Sequence, residues 1–86
     1  MKTLIQETKE KGLESLMGKK VTIFCCRYIY TGELIGIDEQ NILLKNPAIV
    51  YETGPFDKKE WQDCQSLNIP EWYIAIQSIE SYGILK

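Results

Sequence analysis

Gly32-Glu33-Leu34-Ile35-Gly36-Ile37-Asp38-Glu39-Gln40-Asn41-Ile42-Leu43-Leu44-Lys45-Asn46 decides how this chain is read. Two runs rich in aliphatic residues flank a short polar turn at 38–41. Successive side chains of a strand point to opposite faces, so a regular strand puts Gly32, Leu34 and Gly36 on one face. Glycines inside a strand mark a sharp bend or the close approach of another backbone. A long strand bent at glycine is what a small sheet needs in order to roll up.

Upstream, residues 21–26 read as the first strand. Val21, Ile23 and Cys25 share one face; Thr22, Phe24 and Cys26 share the other. Arg27-Tyr28 forms the turn, and 29–37 is a long second strand. Residues 42–51 are a third strand broken at Pro47, which signals an edge or a bulge. The chain begins with a helical pattern. Thr3 and Gln6 fit a capping box, Ile5, Leu13, Leu16 and Met17 fall near one face, and Gly18 is placed to stop the helix.

Downstream, residues 54–70 interrupt the β pattern. Asp57 with Glu60 three residues on reads as a helix start, with Phe56 and Trp61 as a hydrophobic staple. This predicts about two turns of helix over 58–65, with Trp61 and Cys64 on its apolar face. Strand character returns over 72–79, and 82–85 extends it.

The 86 residues make a single domain, 1–86, with a small core that oligomerisation commonly supplements. No apolar run approaches the roughly 20 residues of a membrane span, so no membrane partner is expected. Glu7, Lys9, Glu10 and Lys11 interrupt any signal-peptide pattern, which points to the cytoplasm. Three cysteines cannot all pair within the chain, and Cys25 and Cys26 point to opposite faces of one strand. Reduced thiols fit the same compartment. With no histidine and no Cys-x-x-Cys, neither a metal site nor a cofactor is expected. The net charge of −2 does not suit nucleic-acid binding by bulk electrostatics, although Lys19-Lys20 and Lys45 supply local positive charge. No nucleophile–base pair, glycine-rich phosphate loop or Gly-x-Ser-x-Gly elbow appears, so no enzyme is expected.

Val21-Thr22-Ile23-Phe24, Gly32-Glu33-Leu34, Asp38, Ile42-Leu43-Leu44-Lys45-Asn46 and Ala75-Ile76-Gln77-Ser78-Ile79 follow one another in the order of the Sm-like family. The chain resembles that family over most of 3–52 and 71–85, and its bacterial Hfq-like members most closely. The resemblance implies a mainly β fold: an N-terminal helix, then a strongly bent five-stranded antiparallel SH3-like barrel, here with a helical insert at about 54–70 before the fourth strand. It implies a homo-oligomeric ring of six or seven subunits that binds single-stranded RNA or acts as an RNA chaperone. Ring closure would use open sheet edges, with 49–51 and 72–79 as the candidates.

The resemblance also assigns residues. Glu39, Gln40 and Asn41 would read bases at the pore, with Trp72 and Tyr73 beside the second turn. Phe24 and Tyr28 would stack bases on the opposite face, since unpaired bases expose both faces and edges. Gln40 stands where Hfq carries its stacking aromatic, and Trp72-Tyr73-Ile74 stand where it carries Tyr-Lys-His. These departures, with the acidic balance and the insert, leave a second reading open: a structural or protein-interaction ring without RNA. A monomeric SH3-like adaptor is a third. The bland readings also stand: 38–41 as an ordinary polar turn, the aromatics as sheet packing, the lysines as solvated charge.

Overall fold

Runs of β-branched and aromatic residues become strands where the pattern places them. The computed structural model describes residues 12–86. It contains β1 (Lys20–Cys25), β2 (Ile29–Ile37), β3 (Asn41–Glu52), β4 (Asp63–Ser66), β5 (Glu71–Ala75) and β6 (Ile79–Gly83). All pairings are antiparallel: β1 with β2, β2 with β3, and β1 with β6. One side of β3 carries two partners end to end, β5 along its first half and β4 along its second.

The sheet curls strongly. β5 and β6 lie at opposite ends of the path β5-β3-β2-β1-β6, yet only a 3₁₀ turn, Ile76–Ser78, joins them. Four inter-strand spacings of a flat sheet come to about 19 Å. A 3₁₀ turn rises only about 2 Å per residue. The two borders must therefore bend towards each other. Val21, Ile23, Leu34, Ile42, Leu44 and Ile74 fill the inside of the curl, with Leu13 and Leu16 packed against them.

Two slips in the β2–β3 register produce the bend. Thr31 pairs with Ala48 and Glu33 with Lys45, so Asn46 and Pro47 together oppose Gly32. Asn46 takes φ 52° at this bulge, as the proline signal anticipates. A Cβ on Gly32 would lie 3.1 Å from the Lys45 carbonyl oxygen and 3.4 Å from Pro47 Cα, which is the close backbone approach that glycine permits. The second slip falls at Ile35, between the pairs Leu34–Leu44 and Gly36–Leu43. It corrects the expectation for Gly36. The extra residue moves Gly36 off Leu34's face and under Leu43, because counting by twos fails across a bulge.

Residues 58–65 do not form a helix, and the sheet has six strands rather than five. The insert runs through turns and then becomes β4. The cause is tertiary. β3 continues past β5, and its outer half would otherwise leave a row of unpaired backbone groups. Ser66, Gln65 and Cys64 fill that row opposite Ala48, Ile49 and Val50. The 49–51 edge is therefore covered by its own chain. The uncovered borders among the described residues are the outer sides of β4, β5 and β6. The expected strand over 72–79 is likewise split at 76–78 by the 3₁₀ turn.

The N-terminal helix expected from Thr3 onwards lies mostly outside the described residues. Its described end is a 3₁₀ turn, Leu13–Leu16. Gly18 follows with φ 80°, the left-handed conformation expected of a stop residue. Its N–H donates to the Leu34 carbonyl at 2.7 Å and so ties this segment to β2. No helix among the described residues is long and apolar enough to cross a membrane.

Candidate functional site

Asp38 builds the turn between β2 and β3. Its Oδ1 accepts the backbone N–H groups of Gln40 at 2.8 Å and Asn41 at 2.7 Å, while its own N–H donates to the Asn41 carbonyl at 2.9 Å. The two bonds, Gln40's first, hold the Asp38 carboxyl below the usual aspartate range. With its carboxylate so engaged, Asp38 shapes the loop that presents Glu39, Gln40 and Asn41.

A depressed folded-state value makes the contribution full above the ordinary range, about 3.9, and lost as pH falls through the lower folded value. Asp38→Ala is expected to lower the urea midpoint by a constant amount from about pH 5 to 7, with the deficit shrinking below about pH 4. Urea titrations of both proteins across that range check it. A deficit unchanged at about pH 2 would contradict a charged acceptor.

The same turn is tied to the far end of β5. Ile76 N–H donates to the Gln40 carbonyl at 2.8 Å. Glu39, Gln40 and Asn41 thereby join Ala75, Ile76 and Gln77 around a hollow of about 360 Å³. Its rim offers three side-chain amides, each both donor and acceptor, and one carboxylate. Gln77 is a rim residue outside the set expected from the sequence. Its signal was present in the Ala75–Ile79 motif, but only the fold shows that this stretch is a turn rather than a strand.

Trp72 and Tyr73 do not line this hollow. With Tyr28, Tyr30, Arg27 and Cys25 they border a second one, of about 370 Å³. The register brings Tyr30 opposite Ile23 on β1, and Trp72 opposite Leu44 on β3. Tyr28 and Tyr30 meet edge to face with centroids 6.1 Å apart. Tyr28 is 50% exposed and Tyr73 65%, so both offer ring surface to solvent. Arg27, a turn residue by the sequence pattern, supplies a positive charge here. Tyr73 also borders a smaller hollow with Asp38, Asn41 and Leu43, and so stands between the two larger ones.

Phe24 is separated from Tyr28. It pairs with Ile29 and Ser81 and faces away from Cys25, so it does not line the tyrosine hollow. Burial pushes the half-buried Cys25 thiol up, and partial desolvation does the same to Cys64, whose residue is still exposed. Thiols raised in this way are poor nucleophiles at neutral pH. The described residues contain no group of three or more His, Cys, Asp or Glu able to hold a metal ion. No protein-family model matches the chain, and no curated protein matches it.

Proposed function

We propose that this chain is an Sm-like ring subunit whose amide-rimmed turns bind single-stranded RNA. The observation that carries the reading is the bond from Ile76 N–H to the Gln40 carbonyl, which gathers the polar turn at 38–41 and the 3₁₀ turn Ile76–Ser78 around one hollow, although Trp72 and Tyr73 lie outside it. The order of strands and the curl of the sheet fit the small bent barrel of that family. Gln40, Asn41 and Gln77 are suited to base edges, which present donors and acceptors side by side. Tyr28, Tyr73 and Arg27 add stacking surface and one positive charge at the neighbouring hollow. Ring closure would set β6 of one copy against β5 of the next, two borders of five residues each, in a head-to-tail contact that closes cyclically.

The test is fluorescence anisotropy with labelled oligo-U and oligo-A, alongside the native mass of the assembly. Saturable, salt-sensitive binding at micromolar protein is expected, with a six- or seven-fold mass. Asn41→Ala is expected to weaken binding up to about tenfold, the worth of one or two hydrogen bonds. Absence of salt-sensitive binding defeats the RNA reading, and a mass near that of one chain defeats the ring.

One observation favours a protein-interaction ring instead. Asp38 and Glu39 make the turn negative, and no lysine or arginine lines its hollow. A ring mass without RNA binding selects that alternative.

A further inference from the structure

Lys86 is held more fully than any other charged group among the described residues. Its Nζ donates to three backbone carbonyls: Thr53 at 2.9 Å, Pro55 at 3.0 Å and Glu60 at 3.1 Å. The same nitrogen lies 4.5 Å from the ring centre of Trp61 and 5.7 Å from that of Phe56. The two rings stand at 87° to each other and wall two sides of the ammonium. An ammonium has three N–H donors, and all three are matched here.

The loop that supplies this cage also carries two backbone bonds of its own. Gln62 N–H donates to the Thr53 carbonyl, and Lys58 N–H to the Pro55 carbonyl. Gly54 turns the chain with φ 66°. Lys86 arrives from elsewhere: β6 pairs with β1 through Gly83 and Thr22, and the segment after it crosses to the end of β3. A ring of carbonyls and aromatic faces filled by a lysine from a remote segment has the donor and acceptor pattern of an ammonium site.

We propose that the 53–61 loop is a recognition site for an unmodified lysine side chain, with Lys86 as its resident occupant. Aromatic walls alone attract any alkylammonium, methylated forms included. The carbonyl triad narrows the choice, because each N-methyl group removes one donor and leaves a carbonyl without its partner. Nε-acylation removes the charge and leaves a single N–H, so it vacates the site. A lysine on an extended segment of another molecule enters only by displacing Lys86. The proposal depends neither on RNA nor on a ring.

Two NMR measurements test it. In the unaltered protein, the Lys86 Cε protons are expected upfield of those of the other lysines through ring currents, and Trp61→Leu is expected to return them to the common position. Finding them already there overturns the proposal. In Lys86→Ala, the peptide acetyl-Ile-Leu-Lys-amide is expected to shift the Trp61 indole Nε1–H signal saturably, with its Nε-trimethyl form binding at least about tenfold more weakly. Equal binding of the two forms, or no shift in a variant whose spectrum remains dispersed, overturns it. Where the spectrum of Lys86→Ala collapses, Lys86→Ser is titrated with the same two peptides, and equal binding or no shift there overturns the proposal.

Discussion

Leu44→Ala is expected to remove about 2–5 kcal/mol of folding stability. Leu44 has no exposed surface and lies where three strands meet, opposite Leu34 on β2 and Trp72 on β5. A domain of this size has only about 5–15 kcal/mol in all, so one truncation takes a large share. Urea unfolding should show a much lower midpoint with an unchanged slope, the sign of lost stability without altered compactness. Leu43→Ala is the control. Leu43 points to the other face and is partly exposed, so its loss is expected to be less than half as large. Equal losses would mean that the two faces of β3 are assigned wrongly.

Gly32→Val is the second large effect, and it runs against intrinsic preference. Valine is a better strand former than glycine. At this position its Cβ would meet the Lys45 carbonyl oxygen at 3.1 Å, Leu44 Cβ at 3.3 Å and Pro47 Cα at 3.4 Å. Two of these neighbours are backbone atoms fixed by the bulge at Asn46 and Pro47. Overpacking of this kind costs about 1–3 kcal/mol. For a chain of this length each kcal/mol lowers Tm by about 4–8 °C. Gly83→Val is the matched comparison: nothing lies within 4 Å of a Cβ there, on border strand β6. It is expected to be neutral or slightly stabilising. A thermal melt in which the Gly32 variant is no worse than the Gly83 variant would refute the close approach.

The first three strands were legible because their cause is local. Alternation from Val21, the aliphatic run from Ile29 and the Ile42-Leu43-Leu44 run gave boundaries within one residue of those observed. The bulge was legible at Pro47, and the turn at Asp38 and Asn41. The insert was not. Phe56 and Trp61 do meet, as the staple pattern suggests, but around the ammonium of a lysine about 25 residues further along the chain. Local signals cannot register such a partner, nor the unpaired half of β3 that draws residues 63–66 into a strand. The candidate site was legible in part for the same reason. Glu39, Gln40 and Asn41 are neighbours in sequence and stay together. Tyr28 meets Trp72 and Tyr73 only through the pairing of β3 with β5 and the curl of the sheet, while Phe24 is turned away by strand alternation.

The pairing of β1 with β6 bears on how the molecule comes into being. Thr22 and Gly83 are about 60 residues apart, so closing that gap costs more chain entropy than any neighbouring hairpin. Such distant contacts slow acquisition of the native state, and topologies dominated by them reach it in milliseconds to seconds. During synthesis β6 leaves the ribosome after the other five described strands. Until it arrives, β1 offers a bare flank to other nascent chains, and a pause in translation just before Ile79 would prolong that hazard.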